Sequence, residues 1–263
     1  MILKSNVREH TFTVVENAAV GDGIWRMVFS APELAASLAP GQFMNFLVPG
    51  AKQILRVPLS FASADAAAGT VEIVYAVVGD ATRALTRMAA GVCSSVLGPS
   101  GNGWRVREGQ GRSVVVGGGV GAPPVVAAAG LLAASGVAFD GVLGAQTASR
   151  LWGVERLREL GAGQAVFMTD DGSAGGRGFT TDALRVLLSE GEYDTVYTCG
   201  PQVMMRGVAA ICRDAGVSCQ VSMERMMSCA FGACNTCNVS MADGTYKSCC
   251  MYGPVFDAEE VAW

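Results

Sequence analysis

Cys229, Cys234 and Cys237 stand in one short run at the spacing C-x4-C-x2-C, and Cys249 and Cys250 follow shortly after. Thiolates grouped this closely can hold metal. The spacing is the first part of the plant-type [2Fe–2S] pattern, in which four thiolates carry two irons and two sulfides. Ala230, Gly232 and Ala233 suit a loop wrapped tightly around a cluster. Such a loop needs positive φ angles and backbone N–H groups that can point at sulfur. A zinc site and cysteines packed as small hydrophobes are the competing readings. Zinc sites favour two separate close pairs, whereas here three cysteines crowd one run. Spacing does not choose between Cys249 and Cys250 for the fourth position.

A second stretch has the composition of a phosphate cradle. Gly117-Gly118-Gly119-Val120-Gly121-Ala122-Pro123-Pro124 lies between a Val-rich strand and an Ala/Leu-rich helix. Glycines let a phosphate approach the backbone, and a helix N-terminus offers N–H donors and the positive end of its dipole. The pattern departs from G-x-G-x-x-G because Pro124 takes the last glycine position. Cys199-Gly200-Pro201 follows another strand, Thr195 to Thr198. Ligands of open α/β sheets lie at the carboxyl ends of the strands, so both turns are expected on that edge.

The elements that must position these residues read in three parts. Residues 1–108 are β-rich, with strands expected at Thr11 to Glu16, Ile24 to Phe29, Phe43 to Val48 and Val71 to Val78, and a short helix from Thr82 to Ala89. Short strands at this spacing predict a small barrel or sandwich. In residues 109–219 strands and helices alternate. Strands are expected at Ser113 to Val116, Phe139 to Leu143, Ala165 to Thr169 and Thr195 to Thr198, and helices at Pro123 to Ala134, Leu151 to Leu160, Thr181 to Ser189 and Val203 to Ala215. That alternation predicts a parallel sheet covered on both faces. Residues 220–263 form a small cysteine-bearing unit. The fold class is thus α+β multidomain: an N-terminal antiparallel β-barrel, an α/β parallel-sheet nucleotide-binding domain and a small C-terminal cluster domain.

Composition excludes several classes. The chain has 263 residues, 51% of them hydrophobic and 16% charged, with a net charge of −4. A nucleic-acid binder should carry a basic patch, and no basic run appears. No charged residue occurs between Arg112 and Asp140, the pattern of a membrane span. Three consecutive glycines and Pro123-Pro124 break that run, so a strand, a turn and a helix are expected instead. Met1 to Asn6 lacks a basic segment followed by an apolar one, so no signal peptide is expected. Nine cysteines, an odd number with five crowding the C-terminal stretch of a long chain, fit a reducing, cytoplasmic setting with metal-bound thiolates. The lone histidine, His10, is expected at the surface.

Taken together the motifs resemble a known family. Their order is R-x-P-L-S (Arg56 to Ser60), V-Y-x-V-V-G-x-x-T (Val74 to Thr82), L-G-P-x-G-N-G (Leu97 to Gly103), the glycine loop, D-D-G-S (Asp170 to Ser173), C-G-P and the cysteine run with its tail Tyr246 to Phe256. This is similar to the ferredoxin–NADP reductase superfamily. More closely it resembles the electron-transfer subunits of type B dihydroorotate dehydrogenases, over essentially the whole chain.

The resemblance implies FAD in the barrel, with Arg56, Val57, Pro58, Leu59, Ser60, Val74, Tyr75, Ala76, Ala81 and Thr82 in its binding segments. It implies NAD at Gly117, Gly118, Gly119, Gly121, Gly200 and Pro201, with Cys199 beside the nicotinamide. It places the last cluster ligand three residues before the Gly-Pro of the tail, giving Cys229, Cys234, Cys237 and Cys250. The implied partner is an FMN-containing catalytic subunit that oxidises dihydroorotate, in a hetero-oligomer without nucleic acid or membrane.

Two departures stand out. Val57 replaces the family's arginine before the proline, and a one-residue shift turns Arg56 to the other face of a strand. Gly79-Asp80-Ala81-Thr82 puts an acid in a phosphate-binding turn. For the nucleotide, Asp140 is the nearest acid for a ribose hydroxyl, while Gln146 to Arg150 offers hydroxyls and an arginine suited to a 2′-phosphate. The resemblance favours NAD. The rival readings are the small subunit of a ferredoxin–NADP transhydrogenase, a self-sufficient reductase, and a zinc-bound scaffold that has lost its flavin.

Overall fold

The computed structural model describes residues 7–263. Met1 to Asn6, on which the absence of a signal peptide was judged, lie outside the described residues.

The first sheet has seven antiparallel strands: β1 (Arg8–Gly21), β2 (Ile24–Ser30), β3 (Phe43–Phe46), β4 (Val57–Ser60), β5 (Ser63–Asp65), β6 (Thr70–Ala76) and β7 (Cys93–Ser100). Their order is β4-β3-β7-β1-β2-β6-β5. The edge strands β4 and β5 are joined by Phe61 and Ala62, and the Ala62 N–H donates to the Glu72 carbonyl at 2.9 Å. The sheet therefore curls until its ends meet, as a barrel. Strand alternation sends one set of side chains inward. Phe12, Phe29 and Phe46 meet there edge to face at 5.1 to 5.4 Å. Helix α1 (Pro32–Ser37) packs near β5 and β6, and α2 (Asp80–Leu85) begins two residues earlier than expected.

The second unit runs β8 (Ser113–Gly118), α3 (Ala122–Ala134), β9 (Phe139–Ala145), α4 (Val154–Glu159), β10 (Ala165–Thr169), β11 (Gly176–Arg177), α5 (Thr180–Glu190), β12 (Thr195–Cys199), α6 (Gln202–Ala215) and β13 (Ser218–Ser222). The uncharged run is accounted for by β8 and α3. Pro123 and Pro124 sit in the first turn of α3, where a missing N–H leaves no helical carbonyl unpaired. Among the described residues no helix is long and apolar enough to cross a membrane.

The last segment holds β14 (Asn238–Ser240), β15 (Tyr246–Ser248), α7 (Cys249–Tyr252) and β16 (Val255–Asp257). The second sheet is ordered β11-β10-β9-β8-β12-β13-β16, parallel except for β16. The boundary expected between residues 219 and 220 thus falls inside β13. The chain also returns to the nucleotide sheet after its cysteines, because β16 pairs antiparallel with β13. Covering the exposed edge of β13 supplies partners for its unpaired backbone groups.

Candidate functional site

The order in which the strands of the second sheet are connected reverses between the parallel β8 and β12. From β8 the chain crosses to β9 and from β12 to β13, so a crevice opens where the two crossovers part. Both expected turns lie at that point, with Cys199 beside Gly117 in parallel register. The loops touch backbone to backbone. A side chain at Gly121 would collide with the Cys199 carbonyl, and one at Gly200 (φ +152°) would come within 3.0 Å of the Gly118 backbone. Glycine is needed at both positions for this approach. Gly119 instead faces open space, leaving its backbone accessible.

Cys199 is buried, and desolvation pushes its thiol pKa well up, aided by the Glu224 carboxylate and opposed by a hydrogen bond with Ser222. The group is a neutral thiol at physiological pH. Glu224 opens onto solvent, while the protein around its carboxyl desolvates it and raises its pKa. The sequence reading missed Glu224. It follows β13, far along the chain from either turn, and no motif marks it.

On the barrel, β4 divides its side chains between two faces. Val57 and Leu59 join the barrel core, so alternation leaves Pro58 and Ser60 on the outer face. The same rule splits β6. Tyr75 is buried inside with its hydroxyl on Asn17 Oδ1 at 3.0 Å, while Val74 and Ala76 pack outside with Ile24 against Trp152. Only the Tyr75 backbone is left to meet a cofactor.

Arg56 donates to the Ser95 carbonyl and Oγ, each at 3.0 Å, and to Glu9 at 2.5 Å. Its guanidinium is thus committed to β7 and β1. Thr82 Oγ1 accepts from the N–H groups of Val78 and Gly79 and donates to the Gly79 carbonyl, closing the turn before α2. Ala81 is buried behind it. Asp80 is exposed and paired with Arg83 at 3.1 Å, so its charge is turned to water.

Asp140 does not reach the crevice. It pairs with Val114 at the amino end of the sheet, fully buried. It binds Arg112 at 2.7 Å and accepts from the Tyr193 hydroxyl at 2.6 Å and the Gln164 N–H at 2.7 Å. It is a structural acid. The loop Gln146 to Arg150 does follow the carboxyl end of β9, but its Thr147 and Ser149 hydroxyls bond each other at 2.9 Å.

The cysteine loop is shaped by left-handed residues, with φ of 66° at Ala230, 86° at Gly232 and 54° at Asn235. N–H groups point at sulfur: Ala233 to Cys229 at 3.3 Å and Cys250 to Cys237 at 3.4 Å. The Thr236 hydroxyl donates to Cys234 at 3.2 Å. The Thr236 hydroxyl and N–H, with Cys229, lower the Cys234 thiol to about 6. Cys250 interacts with both Cys237 and Cys229. Its neighbour Cys249 is fully buried and donates to the Met223 carbonyl at 3.2 Å. The donor chemistry, four thiols ringed by N–H and O–H donors, fits an iron–sulfur cluster. Among the described residues no three His, Cys, Asp or Glu converge on a single ion.

Phe43 connects the parts. It lies on the outer face of β3, beside Ser60 in register, and packs in one cluster with Met205 of α6 and Cys237, Cys249 and Cys250. The L-G-P-x-G-N-G loop adds a second link. Asn102 bonds the Tyr252 carbonyl at 3.0 Å, and Trp104 Nε1 bonds the Pro124 carbonyl of α3 at 2.9 Å. His10, expected at the surface, is largely buried, and its Nε2 bonds the Gly98 carbonyl of the same loop at 3.2 Å.

Known proteins share this layout. Residues 224–262 match the iron–sulfur cluster binding domain of dihydroorotate dehydrogenase B. The chain is 36% identical to the electron transfer subunit of dihydroorotate dehydrogenase B (NAD(+)) of Bacillus velezensis, over 95% of this chain and 97% of that protein. The corresponding subunit of a Geobacillus species is 34% identical over 97% and 99%. A solved structure of an NADH-dependent reduced ferredoxin–NADP oxidoreductase, studied for flavin-based electron bifurcation, superposes with a TM-score of 0.86 at 30% identity, covering 95% of this chain and 89% of that one. The ferredoxin reductase of carbazole 1,9a-dioxygenase shares the fold, at a TM-score of 0.65 and 21% identity over 80% of this chain and 67% of that one. This chain belongs to the family of electron transfer subunits of dihydroorotate dehydrogenase B.

Proposed function

We propose that this chain carries electrons between an FMN-containing, dihydroorotate-oxidising partner subunit and NAD⁺, in pyrimidine biosynthesis and in the cytoplasm. The observation that carries the reading is the shared core around Phe43. It joins the barrel face bearing Ser60, helix α6 behind Cys199-Gly200-Pro201, and the cysteine loop in one contiguous body. FAD, when bound, exchanges two electrons with nicotinamide and single electrons with an iron–sulfur cluster, so it belongs between them.

The residues have separable tasks in this reading. Pro58 and Ser60 present the outer face of β4 to the flavin ring, and the backbones of Val74 to Ala76 and Ala81-Thr82 line the rest of the FAD. Arg56 and Val57 support that surface without touching phosphate. Gly117 to Gly121 receive the dinucleotide phosphates through backbone N–H groups, and α3, whose first turn holds Pro123 and Pro124 without N–H donors, adds the positive end of its dipole. Cys199, with Gly200 and Pro201, bounds the nicotinamide as a neutral group that adds no charge beside a ring changing its own. Cys229, Cys234, Cys237 and Cys250 hold the [2Fe–2S] cluster, and their N–H and O–H donors stabilise the anionic sulfurs.

The test is reconstitution. The purified chain, mixed with an FMN-containing dihydroorotate-oxidising subunit, should form a complex that reduces NAD⁺ on addition of dihydroorotate. Neither protein alone should do so. A second reading, the small subunit of a ferredoxin–NADP transhydrogenase, draws on the 0.86 TM-score likeness. NADPH oxidation with ferredoxin, and no response to dihydroorotate in the reconstituted mixture, would favour it.

A further inference from the structure

Away from the crevice, a groove of about 1160 Å³ runs between α6, β13 and the segment after β16. It reaches Thr195 and Ser218, the first residues of β12 and β13. It therefore opens at the amino edge of the sheet, opposite the edge that bears Gly117 and Cys199. None of the electron-transfer machinery lines it.

Its charge is unusual for a chain with a net charge of −4. Arg105, Arg107, Arg206 and Arg213 all line it, against the carboxylates of Asp257 and Glu259. Arg105 is matched by Asp257 at 2.7 Å, and Arg213 leans on Asp214 at 3.5 Å. The Arg107 guanidinium donates only to a neutral hydroxyl, that of Thr195 at 3.2 Å. The Arg206 side chain, exposed on α6, makes no hydrogen bond or ion pair with any described residue. Two guanidiniums without carboxylate partners thus face one concavity.

The rest of the wall mixes polar residues, Thr195, Ser218 and Gln220, with apolar ones. Ala209 and Ala210 of α6 line it together with Trp263, whose indole N–H is fixed on the Ala258 carbonyl at 3.0 Å. A planar aromatic held in place and forked cation donors lining the same groove suit a ligand with a flat ring and a phosphate. The volume is of the order that small-molecule sites occupy, roughly 300–1,000 Å³.

We propose that this groove binds a nucleoside monophosphate, with its phosphate on Arg107 and Arg206 and its base against the wall that contains Trp263. The site is separate from the dinucleotide crevice and independent of the electron-transfer reading.

The test is calorimetric titration of the protein loaded with flavin and iron, with NAD⁺ present in excess to fill the crevice. Uridine monophosphate is the probe, because it lacks the adenine of NAD. Inorganic phosphate and ribose 5-phosphate are the comparison ligands. The groove should bind uridine monophosphate more tightly than either. Arg206→Ala and Arg107→Ala should each weaken it by about tenfold or more, the worth of one charge-assisted contact. Trp263→Leu should weaken uridine monophosphate while leaving ribose 5-phosphate nearly unchanged. Flavin and iron contents of each variant show that it is folded, and Arg206, which has no partners to lose, guards against a folding artefact. No binding of uridine monophosphate at millimolar concentration would overturn the proposal. So would an affinity unchanged by the arginine substitutions, or equal affinity for inorganic phosphate.

Discussion

The backbone N–H of Asn102 donates to the carbonyl of Gly253 at 2.5 Å, so the barrel grips the cluster segment three residues beyond Cys250. Gly101 makes this contact possible. It has φ of +74°, and a side chain there would meet Pro254 Cδ at 2.6 Å. Gly101→Ala should therefore lower stability by about 1–3 kcal/mol from backbone strain and loosen the cluster. Asn102→Ala, which removes only the bond to Tyr252, should cost about 1 kcal/mol. Thermal melts with iron assays on both variants check this. Equal effects would contradict it.

The two adjacent cysteines are both buried and both sense Cys237, but their other partners differ. Cys250 faces Cys229 and Cys237, while Cys249 is sealed in the core with its thiol on the Met223 carbonyl. Cys250→Ser should abolish the iron–sulfur absorption. Cys249→Val, close in volume and apolar, should keep the iron at the cost of about one buried hydrogen bond, roughly 1 kcal/mol. Iron content and visible spectra of the purified variants decide. Loss of iron in the Cys249 variant alone would reverse the assignment.

Asp140 holds the amino end of the sheet and leaves the ribose alone. Asp140→Asn weakens the pair between the buried Asp140 and the solvent-exposed Arg112 and disturbs the bonds from Tyr193 and Gln164. Because Arg112 is open to water, the cost should be about 1–3 kcal/mol, chiefly from the buried hydrogen bonds. The KM for NADH should be unchanged in the protein that remains folded. A raised KM with an unchanged melt would restore Asp140 as a nucleotide ligand.

Stability should fall on the alkaline side. Burial raises the pKa of the Cys199 thiol and of the Tyr75, Tyr193 and Tyr197 hydroxyls, with Tyr193 pushed to about 12. In the unfolded chain cysteine loses its proton near pH ~8.5 and tyrosine near ~10. Above those values the native state binds more protons than the unfolded one, so stability declines as pH rises. Each such group contributes a slope of about 1.4 kcal/mol per pH unit. Melting temperatures from pH 7 to 10 should fall, beginning with the Cys199 contribution, and Cys199→Ala should flatten the early part. A profile level to pH 10 would contradict the burial argument.

The chemistry was legible in the sequence where it is local. The C-x4-C-x2-C run, the glycine turn and the strand Ala165 to Thr169 are fixed by neighbouring residues, and the structure has the strand at the expected bounds. What depends on distant partners was not legible. Asp140 stands at a plausible distance along the chain from the glycine loop. Sequence distance, however, does not say which edge of the sheet a residue occupies, and its register with Val114 puts it at the far one. Phe43 reads as an ordinary strand residue, and only the barrel's curvature sets its outer face against the cysteine loop. The return of β16 to β13 has no periodic signal, since three residues are too few to carry one. The one-residue displacement of Arg56 was visible, and the Glu9 and Ser95 contacts give its consequence.

The most direct test of the central claim is one anaerobic absorption spectrum, recorded before and after NADH, with iron and zinc assayed on the same sample. Flavin bands with a broad iron–sulfur shoulder, both bleached by NADH, and about two irons per chain are the expected result. A colourless protein that contains zinc and does not respond to NADH would contradict it.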